Sequence, residues 1–288
     1  MAKYIRPAAI AGAIILAVTA GAAAYMAKTP PQAPAVIAPS QSARLAAASP
    51  VVNAPPDSER PKAVALLATD QDPACTADRV WCVVIREGED GLARPLVLPA
   101  AQARAQASPQ AASSGGETHS AWPMLVMLKD GGFLAGVETR LSTNYSGGGG
   151  SATELRLFRV SKGGDSEEDP VLILPLQGSL MIRACFSAED VKARREACHD
   201  NYGFEGVVRI DASSRDMPWI NYSTQAWAFP RGASRNEDST QRGPLEPADL
   251  VQQGDETCSF RRRFEFSPIT GRYEPDAALP DCSAYTVP

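Results

Sequence analysis

Hydrophobic and polar residues alternate with a period of two along much of the second half of the chain. In the segment FEGVVRID, one face carries apolar side chains and the other carries charged ones: Phe204, Val208 and Ile210 against Glu205, Arg209 and Asp211. The segment 218–229 repeats the pattern, with one face formed by Ile220, Tyr222, Thr224, Ala226 and Ala228. This period predicts β-strands that bury one face. The runs RVWCVVIRE and MLVMLK are apolar on both faces, which indicates strands buried on both sides.

Turn sequences rich in Gly, Asp, Ser and Pro separate the strand-like runs, at 87–91, 129–132, 161–170, 211–218 and 267–271. Strand-like residues flank each turn, as is typical of hairpins. Five hairpins indicate about ten strands. The predicted fold class is therefore all-β, built mainly of antiparallel hairpins as a sandwich, a barrel or a partial propeller, with one or two short helices.

The amino terminus has the features of an export segment. Lys3 and Arg6 precede a stretch without charge from Pro7 to Ala27. Small residues at 21–24 could form a cleavage site, and the stretch is also long enough to span a bilayer. We predict that residues 1–27 are a signal peptide or a transmembrane anchor, and that the rest of the chain lies outside the cytoplasm.

Two low-complexity segments divide the remainder. Residues 28–73 form a Pro/Ala-rich stretch, with eight prolines and no glycine between Lys28 and Lys62, which predicts a disordered linker. A second stretch at about 100–121 predicts a disordered insert, in which His119 is solvated and without a role. The predicted β domain is thus 74–288, interrupted by this insert. A glycine run at 147–150 predicts a flexible loop that enters a strand.

The six cysteines favour disulfides over other chemistry. Their number is even and the predicted compartment is oxidising, so we expect pairing. Proximity in sequence favours three local pairs: Cys75 with Cys82, Cys185 with Cys198, and Cys258 with Cys282. No two cysteines stand at the short spacing of a zinc site, so we predict no metal and no cofactor.

The stretch CFSAEDVKARREACHDNY concentrates the candidate chemistry. Ser187 can cap a short surface helix, with Asp190 three residues later. We predict that Cys198 ends this helix and that His199 lies at its carboxyl end, where its cation is favoured. His199 and Asp200 are also weak catalytic candidates, although no nucleophile elbow accompanies them.

Arg262 is a weak ligand-binding candidate. In the strand-like run CSFRRRFEF it shares a face with Phe260, Phe264 and Phe266. An arginine there can stack on the rings, pair with a buried carboxylate or bind an anionic ligand. We expect a structural pairing.

Composition narrows the partners. The chain has 28 basic and 33 acidic residues, a net charge of −5, which does not favour nucleic acid or anionic lipid as a partner. We predict an exported, periplasm-facing, non-catalytic binding or envelope-interaction protein of the bacterial cell envelope. Its partner would be an unknown envelope component or protein, and residues 7–27 would contact the inner membrane if retained. Two alternatives stay open: an envelope-polymer hydrolase using His199 and Asp200, and a secreted inhibitor that presents the disulfide-pinned helix at 185–198.

Overall fold

The computed structural model describes residues 60–68, 73–106, 116–214 and 216–288. Within these ranges the chain forms thirteen strands: β1 (Lys62–Leu67), β2 (Ala74–Thr76), β3 (Trp81–Glu87), β4 (Ala93–Pro99), β5 (Glu117–Met127), β6 (Phe133–Tyr145), β7 (Gly148–Val160), β8 (Leu172–Arg183), β9 (His199–Asp211), β10 (Trp219–Phe229), β11 (Gln253–Gly254), β12 (Arg261–Ser267) and β13 (Arg272–Pro275). Three short α-helices accompany them: α1 (Ala100–Gln106), α2 (Ala188–Ala193) and α3 (Ser283–Thr286). Short 3-10 turns lie at Ser239–Gln241 and Pro247–Asp249.

The strands form one antiparallel sheet in the order β13-β12-β10-β9-β8-β7-β6-β5-β1-β2-β3-β4, with β11 beside β10. The predicted all-β class is confirmed. Each of the five predicted turns joins two strands that pair with each other: β3 to β4, β5 to β6, β7 to β8, β9 to β10, and β12 to β13. From β5 to β10 the sheet is therefore a meander of neighbours in sequence.

The domain begins earlier than the sequence predicts. β1 lies inside the segment 28–73 that was predicted to be a linker, and it pairs with β5 and β2. Its residues KAVALL are apolar enough to join the sheet, and Leu66 is buried. The predicted export segment and the rest of the linker up to residue 59 lie outside the described residues. No helix in the described ranges has the length and apolar character needed to cross a membrane.

The predicted insert at 100–121 is wrong at both ends. Residues 100–106 form α1, because an alanine-rich sequence with Gln and Arg is a good helix former and Ala103 finds a buried position. Residues 117–121 belong to β5 and pair with β6. His119, predicted to be solvated, lies in this strand with its Nδ1 3.1 Å from the Thr139 hydroxyl.

The central strands β6 and β7 are buried on both faces where they approach the β5–β6 and β7–β8 turns. On one face they pack against β1–β4 in a core that includes Val83, Val97, Ala135, Val160 and Phe133. On the other face they pack against β9, β10 and β12 in a core that includes Leu134, Leu155, Leu157, Phe204, Ile220 and Phe264. The sheet thus folds into three layers, with β5–β8 in the middle.

The third layer arises because the pairing between β8 and β9 stops at Pro175. β8 pairs with β9 only over 177–183, and its earlier residues pair with β7 alone. A register shift between β7 and β8 marks the same place. Beyond it, β9 and β10 cross over the core, where the Tyr222 hydroxyl donates to the Pro175 carbonyl at 2.6 Å. Near this junction the sheet changes from two buried faces to one.

Beyond the junction, one face of β7–β10 is covered by the carboxyl-terminal segment; we call it the covered face. Here the backbone of Tyr285 lies so close to Gly178 that a side chain at residue 178 would overlap the Tyr285 carbonyl oxygen. Gly150 similarly faces Pro288 and Leu180. The predicted glycine loop is therefore wrong from Gly148 onward: these glycines are strand residues, and Gly150 admits Pro288 at close range.

Three disulfides join Cys75 to Cys82, Cys185 to Cys198, and Cys258 to Cys282, which is the local connectivity predicted from the sequence. The last one ties the segment before β12 to the residue that precedes α3. It therefore holds the covering segment onto the sheet.

Candidate functional site: the open face of the sheet

A row of polar side chains crosses six strands on the face opposite the covered one, which we call the open face. In antiparallel pairs, directly opposed residues project from the same face. The register opposes neighbouring members of the row in turn: Thr118, Arg140, Thr153, Gln177, Glu205 and Gln225. We call this the polar row. Thr153 is half-buried and the other five are exposed, so one line of hydrogen-bonding groups runs from β5 to β10.

A second row lies beside it, two residues further along each strand. Its members are Ser142, Ser151, Ser179, Gly203 and Trp227. The indole of Trp227 lies directly against Gly203, where any side chain would overlap ring atoms. Glycine at 203 thus allows the indole to lie on the sheet. The row consists of three hydroxyls and one half-buried aromatic ring.

Two adjoining grooves follow the polar row. The larger, about 690 Å³, lies over β9, β10 and the start of β12, and Ser223, Gln225 and Arg261 line it. The smaller, about 330 Å³, lies over β5–β9, and Glu138, Arg140 and Gln177 line it. Glu205 lines both grooves. The two grooves therefore meet at Glu205 on the open face.

Glu138 is the most perturbed acid of these grooves. It is half-buried on β6, between Ser120 of β5 and Leu155 of β7 in the register. Burial raises the pKa of its carboxyl above the ordinary value for glutamate. Glu205, by contrast, is exposed on β9. One groove thus holds two carboxylates in different environments.

The structure separates His199 and Asp200. His199 is the first residue of β9, exposed and opposed to Arg183, not the carboxyl end of a helix as predicted. The helix α2 ends at Ala193, before Cys198, because Arg195 and Glu196 take positive φ angles of 51° and 66° that a helix cannot accommodate. Because successive strand residues face opposite sides, Asp200 lies on the covered face, where it is buried.

Asp200 is part of a buried polar cluster. Arg194 donates to its Oδ1 at 2.5 Å, and the hydroxyl of Ser239 donates to its Oδ2. Arg194 also donates to the Ala197 carbonyl at 2.9 Å. Every group here has a protein partner, and neither His199 nor Asp200 lines the grooves of the open face.

Arg262 stacks on Phe260, with its guanidinium carbon 5.2 Å from the ring centroid. It donates to the carbonyls of Ala278 and Arg261. Of the three predicted roles, the structure shows stacking; the charge is held by carbonyls, and no described carboxylate lies within ion-pair distance. Its neighbours Arg261 and Arg263 project from the other face of β12 and are exposed.

The element at 185–198 has the predicted capping box, since Ser187 and Asp190 exchange side-chain and backbone hydrogen bonds at the start of α2. Phe186 beside it is 64% exposed and stacks against Arg183 at 5.1 Å. Cys198 lies beyond the helix end and immediately before β9. The inhibitor alternative stays a prediction that the geometry does not test.

The polar row could not be found from the sequence alone. Alternation identifies Glu205 as an outward residue of its strand, but Gln177 and Gln225 stand in other strands, and only the register brings them together.

The described ranges contain no cluster of three His, Cys, Asp or Glu side chains placed to hold a metal ion. Comparison of the chain with protein-family models, curated proteins and solved structures gives no match.

Proposed function

We propose that this chain is an exported, periplasm-facing, non-catalytic binding protein whose open face binds an extended, hydroxyl-rich polymer of the cell envelope. One observation carries the proposal: six polar side chains form a single row across β5–β10 on a sheet face that nothing in the described chain covers. Three disulfides are compatible with export to an oxidising compartment.

The chemistry of the row suits hydroxyl groups. Glutamine and threonine side chains both donate and accept, Arg140 donates only and Glu205 accepts only, so alternating partners of a polyol can be matched. Backbone groups of these central strands are already used in the sheet ladder, so recognition falls to the side chains. At about 4.8 Å between strands, the row extends for about 24 Å, the reach of a polymer rather than a small molecule.

Trp227 adds an apolar surface at one end. A ring that rests on the sheet is preorganised, because little conformational freedom remains to be lost on binding. The adjacent hydroxyl of Ser179 is opposed to Gly203 under the ring.

The test is binding of the full-length chain to purified peptidoglycan sacculi by co-sedimentation and to soluble polysaccharides by affinity gel electrophoresis. We expect the Gln177→Ala/Gln225→Ala variant to lose at least about tenfold in affinity, since two hydrogen-bonding groups are removed. Gln102→Ala, an exposed glutamine of α1, is the matched control. Retention by none of these polymers, or equal retention of the double variant, overturns the proposal.

A hydrolase acting on the same polymer is the second candidate, favoured by Glu138 and Glu205 in one groove. Two carboxylates in different environments are the arrangement in which one acts as acid and the other as base or nucleophile. This pair replaces His199 and Asp200, which the structure places on opposite faces. Release of reducing ends from the bound polymer, abolished in Glu138→Gln and retained in Gln102→Ala, would establish hydrolysis; binding without release supports the non-catalytic function.

A further inference from the structure

We infer that the polymer is acidic, and that Arg209, Arg261 and Arg263 hold its carboxylate groups on the open face. This inference rests on the proposed function and names the class of its ligand. The three arginines come from β9 and β12, and register places them in two rows next to the polar row. Arg261 is opposed to Ser223, and both Arg209 and Arg263 are opposed to Asn221.

These arginines differ from the half-buried arginines of β4 and β7, which form ion pairs. Arg94, Arg156 and Arg159 each pair with a carboxylate at 2.6–2.8 Å. Within the described residues, no hydrogen bond or ion pair occupies the guanidinium of Arg209 or Arg261. Two guanidinium groups without a hydrogen bond or ion pair to a described residue thus lie close to the larger groove, which Arg261 lines.

Arg263 is held in place by an aromatic ring. Its guanidinium carbon lies 4.7 Å from the ring centroid of Trp219. Stacking leaves the edge of the guanidinium, with its donors, available for a planar carboxylate. The acids Asp211 and Glu265 share the face, but neither lies within ion-pair distance of Arg263. Hydrogen bonds from Ser213 and, to a smaller extent, the charge of Arg263 lower the pKa of Asp211.

The spacing of charges selects a ligand in which anionic groups are separated by neutral ones. Asn221 and Ser223 stand between the arginines, and Glu205 stands in the adjacent row. A densely charged nucleic acid would place phosphates against Glu205 and Glu138, at a cost in repulsion. An acidic peptide can also bind an arginine cluster, but it carries few hydroxyl groups for the glutamine and threonine side chains of the polar row. Carboxylated sugar rings carry both hydroxyls and isolated charges.

The test uses the full-length chain and three acidic polysaccharides, polygalacturonate, alginate and hyaluronan, each beside its fully methyl-esterified form. Esterification removes the charge and keeps the backbone. We expect at least one acid form to bind about tenfold more tightly than its ester, with the difference falling as salt rises. Arg209→Gln/Arg261→Gln should remove that difference. Arg86→Gln/Arg104→Gln, which changes net charge equally on β3 and α1, should keep it.

The outcomes separate the two proposals. Acid and ester that bind equally, or a double variant that keeps the preference, overturn the acidic ligand and leave the proposed function intact. Binding to none of the six polymers, together with none to sacculi, overturns both. Tighter binding to polyglutamate or to double-stranded DNA than to every acidic polysaccharide overturns the inference in favour of those partners.

Discussion

The two faces of β7–β10 are built from alternate residues of the same four strands, yet they differ in almost every respect. Directly behind the polar row, the covered face carries Ala152, Gly178, Phe204 and Ala226. On the open face the same strands present Thr153, Gln177, Glu205 and Gln225. On the covered face α3 packs on β8 and β9, whereas the second set faces solvent.

The difference shows that only one face of these strands contributes strongly to the stability of the sheet. A sheet needs only one buried face to be stable, and here the carboxyl terminus supplies the cover. Tyr285 packs edge-on against Tyr202 with centroids 6.2 Å apart, and Arg235 donates to the Val287 carbonyl at 2.7 Å. The open face contributes no comparable packing, so its polar row is free to serve recognition.

Further contacts, which join Arg195 and Ala193 to Leu245, hold the edge of the covered face; we call them the edge clamp. Arg195 donates to the Leu245 carbonyl at 2.7 Å, and the Leu245 amide donates to the Ala193 carbonyl at 2.8 Å. The disulfide between Cys185 and Cys198 anchors the segment that carries these contacts. Substitutions on the covered face should therefore change stability strongly, and substitutions on the open face should change binding with at most a small effect on stability.

The largest effect is expected at two consecutive residues of β9. Asp200→Ala leaves the buried Arg194 without its carboxylate, and we expect a loss of about 4 kcal/mol in the free energy of unfolding. His199→Ala, on the open face, should cost under about 1 kcal/mol. Urea denaturation of both variants measures the two values. Similar losses for the pair would break the distinction between the faces.

A second consecutive pair lies four and five residues beyond. Phe204 is 5% exposed in the main core, and Phe204→Ala should cost about 3 to 4 kcal/mol because it leaves a cavity. Glu205→Ala should cost less than about 0.5 kcal/mol, as an exposed surface residue. Thermal or urea unfolding followed by circular dichroism tests both. A Phe204→Ala protein as stable as the parent would show that Phe204 does not contribute to the core as described.

The third largest loss of stability is expected at the disulfide that anchors the edge clamp. Replacing Cys185 and Cys198 together with serine should destabilise the domain by about 3 kcal/mol, since the closed loop no longer restricts the unfolded chain. Polymer binding by the folded variant should be unchanged, because the bridge lies outside both grooves. A non-reduced peptide map of the parent protein is the control. A free thiol at Cys198 in that map would contradict the bridge itself.

The contrast also explains what sequence could foretell. Alternation at Phe204, Val208 and Ile210 depends on local periodicity, and the capping box at Ser187 on a spacing of three, so both were predictable. The end of α2 was not, because Arg195 and Glu196 adopt a conformation that their residue types rarely take.

The same limit applies to the helices, the insert and the site. α3 has four residues and is placed by a disulfide and by Gly178, which are distant in sequence. β1 depends on pairing with the end of β5, about sixty residues later, and the start of β5 depends on pairing with β6. The arginines are a sharper case: alternation singled out Arg262, whereas the register shows that Arg261 and Arg263 join Arg209 on the open face.

A pH effect should sharpen the comparison from within the smaller groove. The pKa of Glu138 is raised in the folded state, so its contribution to stability is fully present below the unfolded pKa and is lost as pH rises through the folded pKa. The free energy of unfolding of Glu138→Gln minus that of the parent protein should thus be larger at pH 7 than at pH 4, by at most about 1 kcal/mol. Urea midpoints at both pH values measure this. A pH-independent difference would show that the carboxyl is fully hydrated.

The smallest effect is expected at the hydroxyl of Tyr202, a polar group buried on the covered face. Tyr202 is 3% exposed on the covered face, and its hydroxyl has no hydrogen-bond partner among the described residues. Burial, aided by the nearby charge of Asp200, raises the pKa of Tyr202 to about 12. Because removal of an unsatisfied buried hydroxyl abolishes its desolvation cost while the ring packing against Tyr285 is kept, Tyr202→Phe should be neutral or stabilising by a few tenths of a kcal/mol. The corresponding open-face control is Thr153→Val, which should leave stability within about 0.5 kcal/mol and weaken polymer binding. Urea denaturation of the two variants and affinity electrophoresis decide the matter: a loss above about 1 kcal/mol in Tyr202→Phe would mean that the hydroxyl has a partner, such as a buried water, and that even the covered face depends on a polar contact.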